Sequence, residues 1–341
     1  MSRPVAQLRR VGWVGALAVA TLALIGFAVV QVPHFATAFN ISQAMAGISE
    51  RALLVLPMVL LIIGREIDLS VASTLALSSV VLGVLLQAGW PLAPAVLAVL
   101  CVGTACGALN GALVTGLGLP SLVVTLGTLA LFRGIGYVLL GTGSVNELPD
   151  SLTNFGIDTV ARTPVPWTLV PFLVLAPIFA VVLQRTPTGR RIYALGGNPD
   201  AALYSGVRVR RLRLGLFIAS GLVCAIAGVV FTARLSNARA NNALGMELDV
   251  ITVALLGGVS VFGGRGRLDG VICALALVAV LRNVLGLSRI GGDAQSTVVG
   301  LLLIGSLLIG NATEAVLGRL AWRTPGDGHA DEPELGREET R

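Results

Sequence analysis

The sequence predicts an all-α fold, a polytopic membrane helix bundle of about ten transmembrane helices. Three observations predict it. Hydrophobic residues make up 55% of the chain and charged residues only 12%, about half the charge of a soluble domain. Mean hydropathy is +0.87. Apolar windows near the length of a membrane-crossing helix recur along the sequence, separated by short polar or glycine-rich segments. A soluble fold of this composition would lack the polar surface to cover its core.

The first window, 11–32, follows Arg3, Arg9 and Arg10. It is long enough to cross a bilayer by itself, so it reads as an uncleaved first span rather than a signal peptide, with 1–10 a cytoplasmic N-terminus. Further windows lie at 44–63, 70–87, 92–115, 121–140, 166–184, 213–233, 250–262, 268–285 and 295–311. Window 250–262 is too short for an upright crossing. Glu247 and Asp249 precede it, and it runs into the glycine-dense GGVSVFGGRGR, which begins at Gly257 and Gly258. Glycines allow close backbone approach and breaks that are buried in protein. A short or broken segment lining a path is expected here. The tail, 323–341, is polar and acid-rich and reads as disordered.

All 24 basic residues are arginine. The sequence pI near 9.9 reflects arginines in cytoplasmic loops rather than nucleic-acid binding. Alternating from a cytoplasmic N-terminus, the inner segments collect most arginines, among them Arg65, Arg185, Arg190, Arg191, Arg208, Arg210, Arg211, Arg213, Arg265 and Arg267. The outer segments hold few, such as Arg162, Arg239 and Arg289. Both termini are therefore expected inside, 141–165 outside and 185–212 inside. Cys101, Cys106, Cys224 and Cys273 all lie in apolar runs with no metal or disulfide spacing, and read as small packing residues.

Within 185–212, Asn198 followed by Pro199 marks a helix start. Ala201, Ala202 and Leu203 favour the helix and Gly206 stops it. A basic loop touching anionic lipid is the plainer reading. In GREIDLSVAS, Arg65, Glu66 and Asp68 stand between two apolar spans, where charge is costly and is paired or functional. An Arg65–Glu66 pair in a solvated turn is the plainer account, and Asp68 and Ser70 are suited to cap the next helix. Asn110 in an apolar span reads as helix–helix glue, or as pore lining. Arg133 reads as an anchor or as part of a gate, with Glu147 a candidate partner. Glu247 and Asp249 have no nucleophile or metal-ligand companions, so an interface or gate-cap role suits them better than catalysis. His34 and His329 are isolated. The glycine run is no phosphate loop, since a chain without lysine has no Walker A site. ATP-driven work has to come from another subunit.

Three stretches in order, IDLSV, ALGGN-PDAALYSGV and ARLSN…GMELDVITVALLGGVSVFGGRG, make the chain similar to the permease subunits of ribose-type monosaccharide importers of the ATP-binding-cassette class. The resemblance runs from about Asn40 to Asn311. Arg65-Glu66 and Ala72 depart from it, since the ribose-like pattern has a glycine at the second position of this stretch and another at 72. The resemblance implies a membrane permease domain over 11–311, located in the inner membrane and in contact with lipid. It implies a second permease subunit, identical or homologous, an ATPase subunit carrying ATP and Mg, and a periplasmic or lipid-anchored sugar-binding protein. It implies no cofactor in this chain. Gly197, Asn198, Asp200, Ala201, Ala202, Ser205 and Gly206 fall on the segment that couples to the ATPase. Arg65, Glu66, Asp68, Ser70, Asn110, Arg133, Glu247, Asp249, Gly257 and Gly258 become gate or pore support. The cargo implied is ribose-, rhamnose-, xylose- or autoinducer-2-like. The polar segments 141–165, with Glu147 and Asp150, and 235–247 are the expected docking face for the binding protein.

A stand-alone secondary transporter of a small polar solute is the alternative. It would show paired broken spans in related halves and membrane-buried acids for ion coupling, and neither is clear in the sequence. A membrane enzyme would need a metal or nucleophile constellation, which the sequence does not display.

Overall fold

A computed structural model describes residues 3–161 and 163–305. All regular structure among them is helical, apart from two isolated antiparallel bridges, Val145 with Ala238 and Thr159 with Pro166. Long apolar helices are α1 (Arg3–Gln31), α2 (Ala38–Ile63), α4 (Leu92–Gly116), α5 (Ser121–Leu140), α7 (Val170–Arg185), α10 (Val209–Leu235) and α12 (Leu268–Leu287). The seventeen-residue α3 (Val71–Gln87) is apolar but just under spanning length. Shorter helices are α6 (Asp150–Ile157), α8 (Pro187–Gly197), α9 (Pro199–Tyr204) and α11 (Met246–Leu256). A further helix, α13, covers 292–305 at the edge of the described residues.

The order of apolar helices follows the hydropathy windows, with four adjustments. Helix α1 begins at Arg3, so the expected N-terminal lead-in is already part of the first helix from that residue. The eighth window is displaced: its helix runs over 246–256 and stops at Gly257, where GGVSVFGGRGR leaves the helix with Gly258, Gly263 and Gly264 at φ of +85°, +76° and +68°. Loop 141–165 contains α6, and loop 185–212 contains two helices rather than one. Residues 306–341, including the end of the tenth window and the acidic tail, lie outside the described residues.

Helix α2 is the axis of the bundle. Its most apolar window is 89% buried, against 17% for α1 and 28% for α4 and α5. The peripheral helices expose Leu22, Leu97, Leu126, Val138 and Val181, as lipid-facing surfaces do. Helix α10 is the second central element and packs on α2, α3 and α4.

The α4–α10 seam shows why the chain is glycine-rich. Gly103, Gly107 and Gly111 recur every fourth residue on one face of α4. A Cβ added at Gly107 would meet the Phe217 carbonyl oxygen at 2.2 Å, and one at Gly221 would meet the Gly103 oxygen at 2.1 Å. Small residues at this spacing let two helix backbones touch, which gains dispersion contact where lipid offers no hydrophobic drive.

Candidate functional site

The two ends of the bundle and its middle each carry a polar assembly. At the arginine-rich end, Thr186 caps α8 by accepting the Gly189 N–H at 3.4 Å, with Pro187 at the first turn. Asn198 then caps α9, its side-chain oxygen accepting the N–H groups of Asp200 and Ala201 at 3.0 Å each. Gly206 follows with φ +81°. The Asn198–Pro199 start and the Gly206 stop are those expected from the sequence.

This helical pair is fastened to the rest of the bundle at one junction. Gly264 donates its N–H to the Ile63 carbonyl at the end of α2, 2.8 Å away. Gly196 sits between them: an added Cβ would lie 1.7 Å from the Ile63 oxygen and 2.4 Å from the Gly264 nitrogen. Arg65, with φ +64°, donates to the carbonyls of Phe262 at 2.8 Å and Gly197 at 3.1 Å. The Tyr193 hydroxyl donates to the Gly266 carbonyl at 2.7 Å. Arg65 therefore does not pair with Glu66, as their adjacency suggests; it ties α8 to the glycine loop. Glu66 instead meets Arg213 at 2.7 Å.

Alongside α9, Arg191, Arg208 and Arg211 line a surface recess of about 480 Å³. Ala202 is buried in its own chain, whereas Leu203 and Tyr204 are 57% and 90% exposed. The small side chain at 202 thus fits this protein's own packing. The surface offered outward is Ala201, Leu203, Tyr204 and Ser205, and the exposed aromatic is a feature that the capping and glycine signals of this loop do not announce.

In the middle, Asp68 is completely enclosed. Its Oδ1 accepts the Ser70 N–H at 2.9 Å and the Ser70 hydroxyl at 2.6 Å, and its Oδ2 accepts the Ser220 hydroxyl of α10 at 2.9 Å. Asn110 of α4 donates to the Ser70 hydroxyl at 2.8 Å. Ser70 thus makes no side-chain cap of α3; with Asp68 it forms a polar knot joining α3, α4 and α10. Burial pushes the Glu66 carboxyl up, opposed by the Ser121 hydroxyl and the Arg213 charge. Asn110 is a buried amide with a helix-joining bond, as the glue reading expects.

At the far end, Arg133 donates to the carbonyls of Ala240 and Asn242, the first at 2.7 Å. Its acidic neighbour is Glu247 and not Glu147. Arg133 therefore holds the 240–242 turn that leads into α11. Asp249 accepts from Arg51 of α2 at 3.0 Å and from Arg282 of α12 at 2.8 Å. Next to Arg51 in α2, Glu50 is fully buried and pairs with Arg234 of α10 at 2.6 Å. Asn40 and Asn283 exchange two amide bonds of 2.9 Å each. Residues of α2, α10, α12 and α13 around these groups line an open cavity of about 450 Å³. Arg51, Arg234, Arg282 and Glu50 escape the sequence reading, although a charge in GISERALLV, at the centre of an otherwise apolar helix, is a usable signal. Buried acids that hydropathy does not reveal are therefore present: Glu50 is paired with an arginine, whereas Asp68 is held by serine hydroxyls and a backbone N–H.

Gly257 and Gly258 carry the break after α11. A Cβ on Gly257 would lie 2.5 Å from the Val271 Cα, so α11 and α12 touch through backbone there. The freed carbonyl of Leu256 accepts the Trp13 indole N–H at 2.9 Å. A broken helix inside a membrane needs such a donor.

A lipid-facing bundle with a polar cavity at one end, and a broken segment and a docked helical pair at the other, defines a membrane transport permease. Residues 40–307 match the family described as the permease component of branched-chain amino acid transport systems. The chain is 38% identical over 277 residues, 81% of its length and 84% of the relative's, to the D-allose transport system permease protein AlsC of Escherichia coli K12. It is 35% identical over 302 residues, 88% and 87% of the two chains, to the autoinducer 2 import system permease protein LsrC of Enterobacter sp. strain 638. It is 34% identical over 255 residues, 73% and 77%, to the corresponding LsrD of Escherichia coli K12. No solved structure matches. The chain belongs to this permease family: it is a multi-pass membrane subunit of an ATP-binding-cassette importer.

Proposed function

We propose that this permease carries a monosaccharide, of the allose, ribose, rhamnose, xylose or autoinducer-2 kind, across the inner membrane with both termini and α8–α9 on the cytoplasmic side. The observation that carries the reading is the junction at Gly196. There α8, the end of α2 and the glycine loop after α11 meet backbone to backbone. A push on α9 reaches the two helices that carry Arg51, which lines the cavity, and Asp249, which holds it from behind. The exposed Leu203 and Tyr204, beside a recess of three arginines, form a patch suited to an ATPase subunit. ATP and Mg act on that subunit; movement of α9 biases the permease between two states. A second permease chain, identical or homologous, completes the pathway. A soluble sugar-binding protein docks on the opposite end, where α6, Glu147, Asp150 and 235–247 lie.

The deciding measurement is uptake of labelled sugar into proteoliposomes. Uptake should need the permease, its cognate ATPase, ATP and the binding protein together. Uptake by the permease alone, driven by an ion gradient, would overturn this reading and establish the stand-alone secondary transporter. The buried Glu50 would then be its coupling acid.

A further inference from the structure

The cavity between α2 and α12 reaches from Asn40, near the first turn of α2, to Arg51 at its midpoint. Below Arg51 every residue of α2 from Ala52 to Ile63 is buried, so the cavity is blind. Its volume of about 450 Å³ lies within the roughly 300–1,000 Å³ of small-molecule sites. Its charged lining is one-sided. Arg51, Arg234 and Arg282 reach it, joined by the amides of Asn40, Gln43, Asn283 and Gln295, and no carboxylate lines it among the described residues. The two acids that hold the arginines stand behind the wall. Glu50 takes Arg234, and Asp249 alone serves both Arg51 and Arg282. Three guanidiniums against two carboxylates leave one positive charge unmatched. The Nε of Arg282 is buried and makes no hydrogen bond.

We propose that this cavity is a binding station for a sugar that carries one carboxylate, an aldonate or a uronate, in preference to the neutral sugar. The inference rests on the sugar-import reading and adds the charge of the cargo. Guanidinium groups recognise carboxylates through paired N–H donors, and the match is stronger than to a neutral hydroxyl. A single negative charge would balance the site. Asn40 and Asn283 bond each other, so the Gln43 amide and the Gln295 side-chain oxygen offer the donor and acceptors for the remaining hydroxyls.

The test uses the full-length permease in nanodiscs of uncharged lipid, with saturation-transfer NMR titration of D-galacturonate and D-galactose. Galacturonate is expected to saturate at a concentration about tenfold lower, as one charge-assisted contact provides. Arg282→Gln should erase that advantage. Should Arg282→Gln fail to fold by size-exclusion chromatography, Arg51→Gln carries the same expectation. Equal affinity for the two sugars, tighter binding of galactose, no binding of galacturonate, or an advantage that survives the arginine substitution each overturns the proposal. ATP-driven uptake of a neutral sugar in the reconstituted importer, alongside such a failure, leaves the sugar-import reading standing and removes only the preference for the acid.

Discussion

Replacing Gly196 with alanine tests the junction at a single methyl group. The added Cβ would stand 1.7 Å from the Ile63 oxygen and 2.4 Å from the Gly264 nitrogen, where ordinary contact begins at 3.4 Å. Both obstacles are backbone, so no side chain can rotate away. Helix α8 has to withdraw from the end of α2 by a large part of the missing distance. Overpacking of this kind costs about 1–3 kcal/mol, and loss of the Gly264–Ile63 hydrogen bond adds about 1 kcal/mol. A destabilisation of about 2–4 kcal/mol is expected in detergent unfolding, with ATP-coupled uptake falling further because the lever is detached. The neighbouring position supplies the control. A Cβ on Gly197 meets nothing within 4 Å, so Gly197→Ala should be within about 0.5 kcal/mol of the parent, as surface changes are. If the two alanine variants behave alike in stability and uptake, the junction does not join the helices as described.

Tyr204→Ala should leave the fold untouched, because the ring is 90% exposed, yet weaken co-purification of the ATPase by about tenfold or more, as loss of an aromatic anchor does; unchanged co-purification would exclude α9 as the contact. Burial holds the Glu66 carboxyl above its ordinary 4.5, so its protonated form is the one the fold favours. The associated stability is fully present below that value and is lost as pH rises through the raised folded pKa. Arg213→Gln removes an opposing charge and should deepen the loss, whereas Glu66→Gln should abolish that part of the pH dependence; thermal melting from about pH 4.5 upward reads both, and parallel curves for parent and Glu66→Gln would refute the assignment.

Properties carried by one segment at a time are legible in the sequence. Apolar windows locate the long helices because each satisfies its own backbone. Asn198-Pro199 locates α9 because capping is a contact between near neighbours. The same signal, Thr186-Pro187 ahead of Ile192 and Leu195, also marks α8, but the arginines around it make the stretch look like a basic loop. Partnerships between helices are not legible. Arg65 has Glu66 beside it in sequence, but its bonds run to Gly197 and Phe262. Arg133 has an acid fourteen residues on, yet it serves the 240–242 turn. Such pairings depend on how helices are rotated and staggered, which one-dimensional spacing does not encode. Glu50 and Arg51 sit inside an apolar window whose average conceals them. The glycines at 257 and 258 announce a break but not its donor, since Trp13 lies on the first helix.

The contact of α4 with α10 bears on how such a machine can be built to move. Two helices whose backbones touch at every fourth residue have no side-chain layer to slip through, so shearing one past the other would drive a carbonyl into its neighbour. They travel as one rigid plate, with the Asp68 knot bolting α3 to the same plate. The seam between α2 and α12 is unlike this, since a polar void on one side and an apolar recess on the other leave little to pry apart. Alternating access in this permease therefore divides the chain into a stiff chassis and a compliant flank. Substitutions that lock or loosen transport will collect along the flank, while those in the chassis will cost assembly.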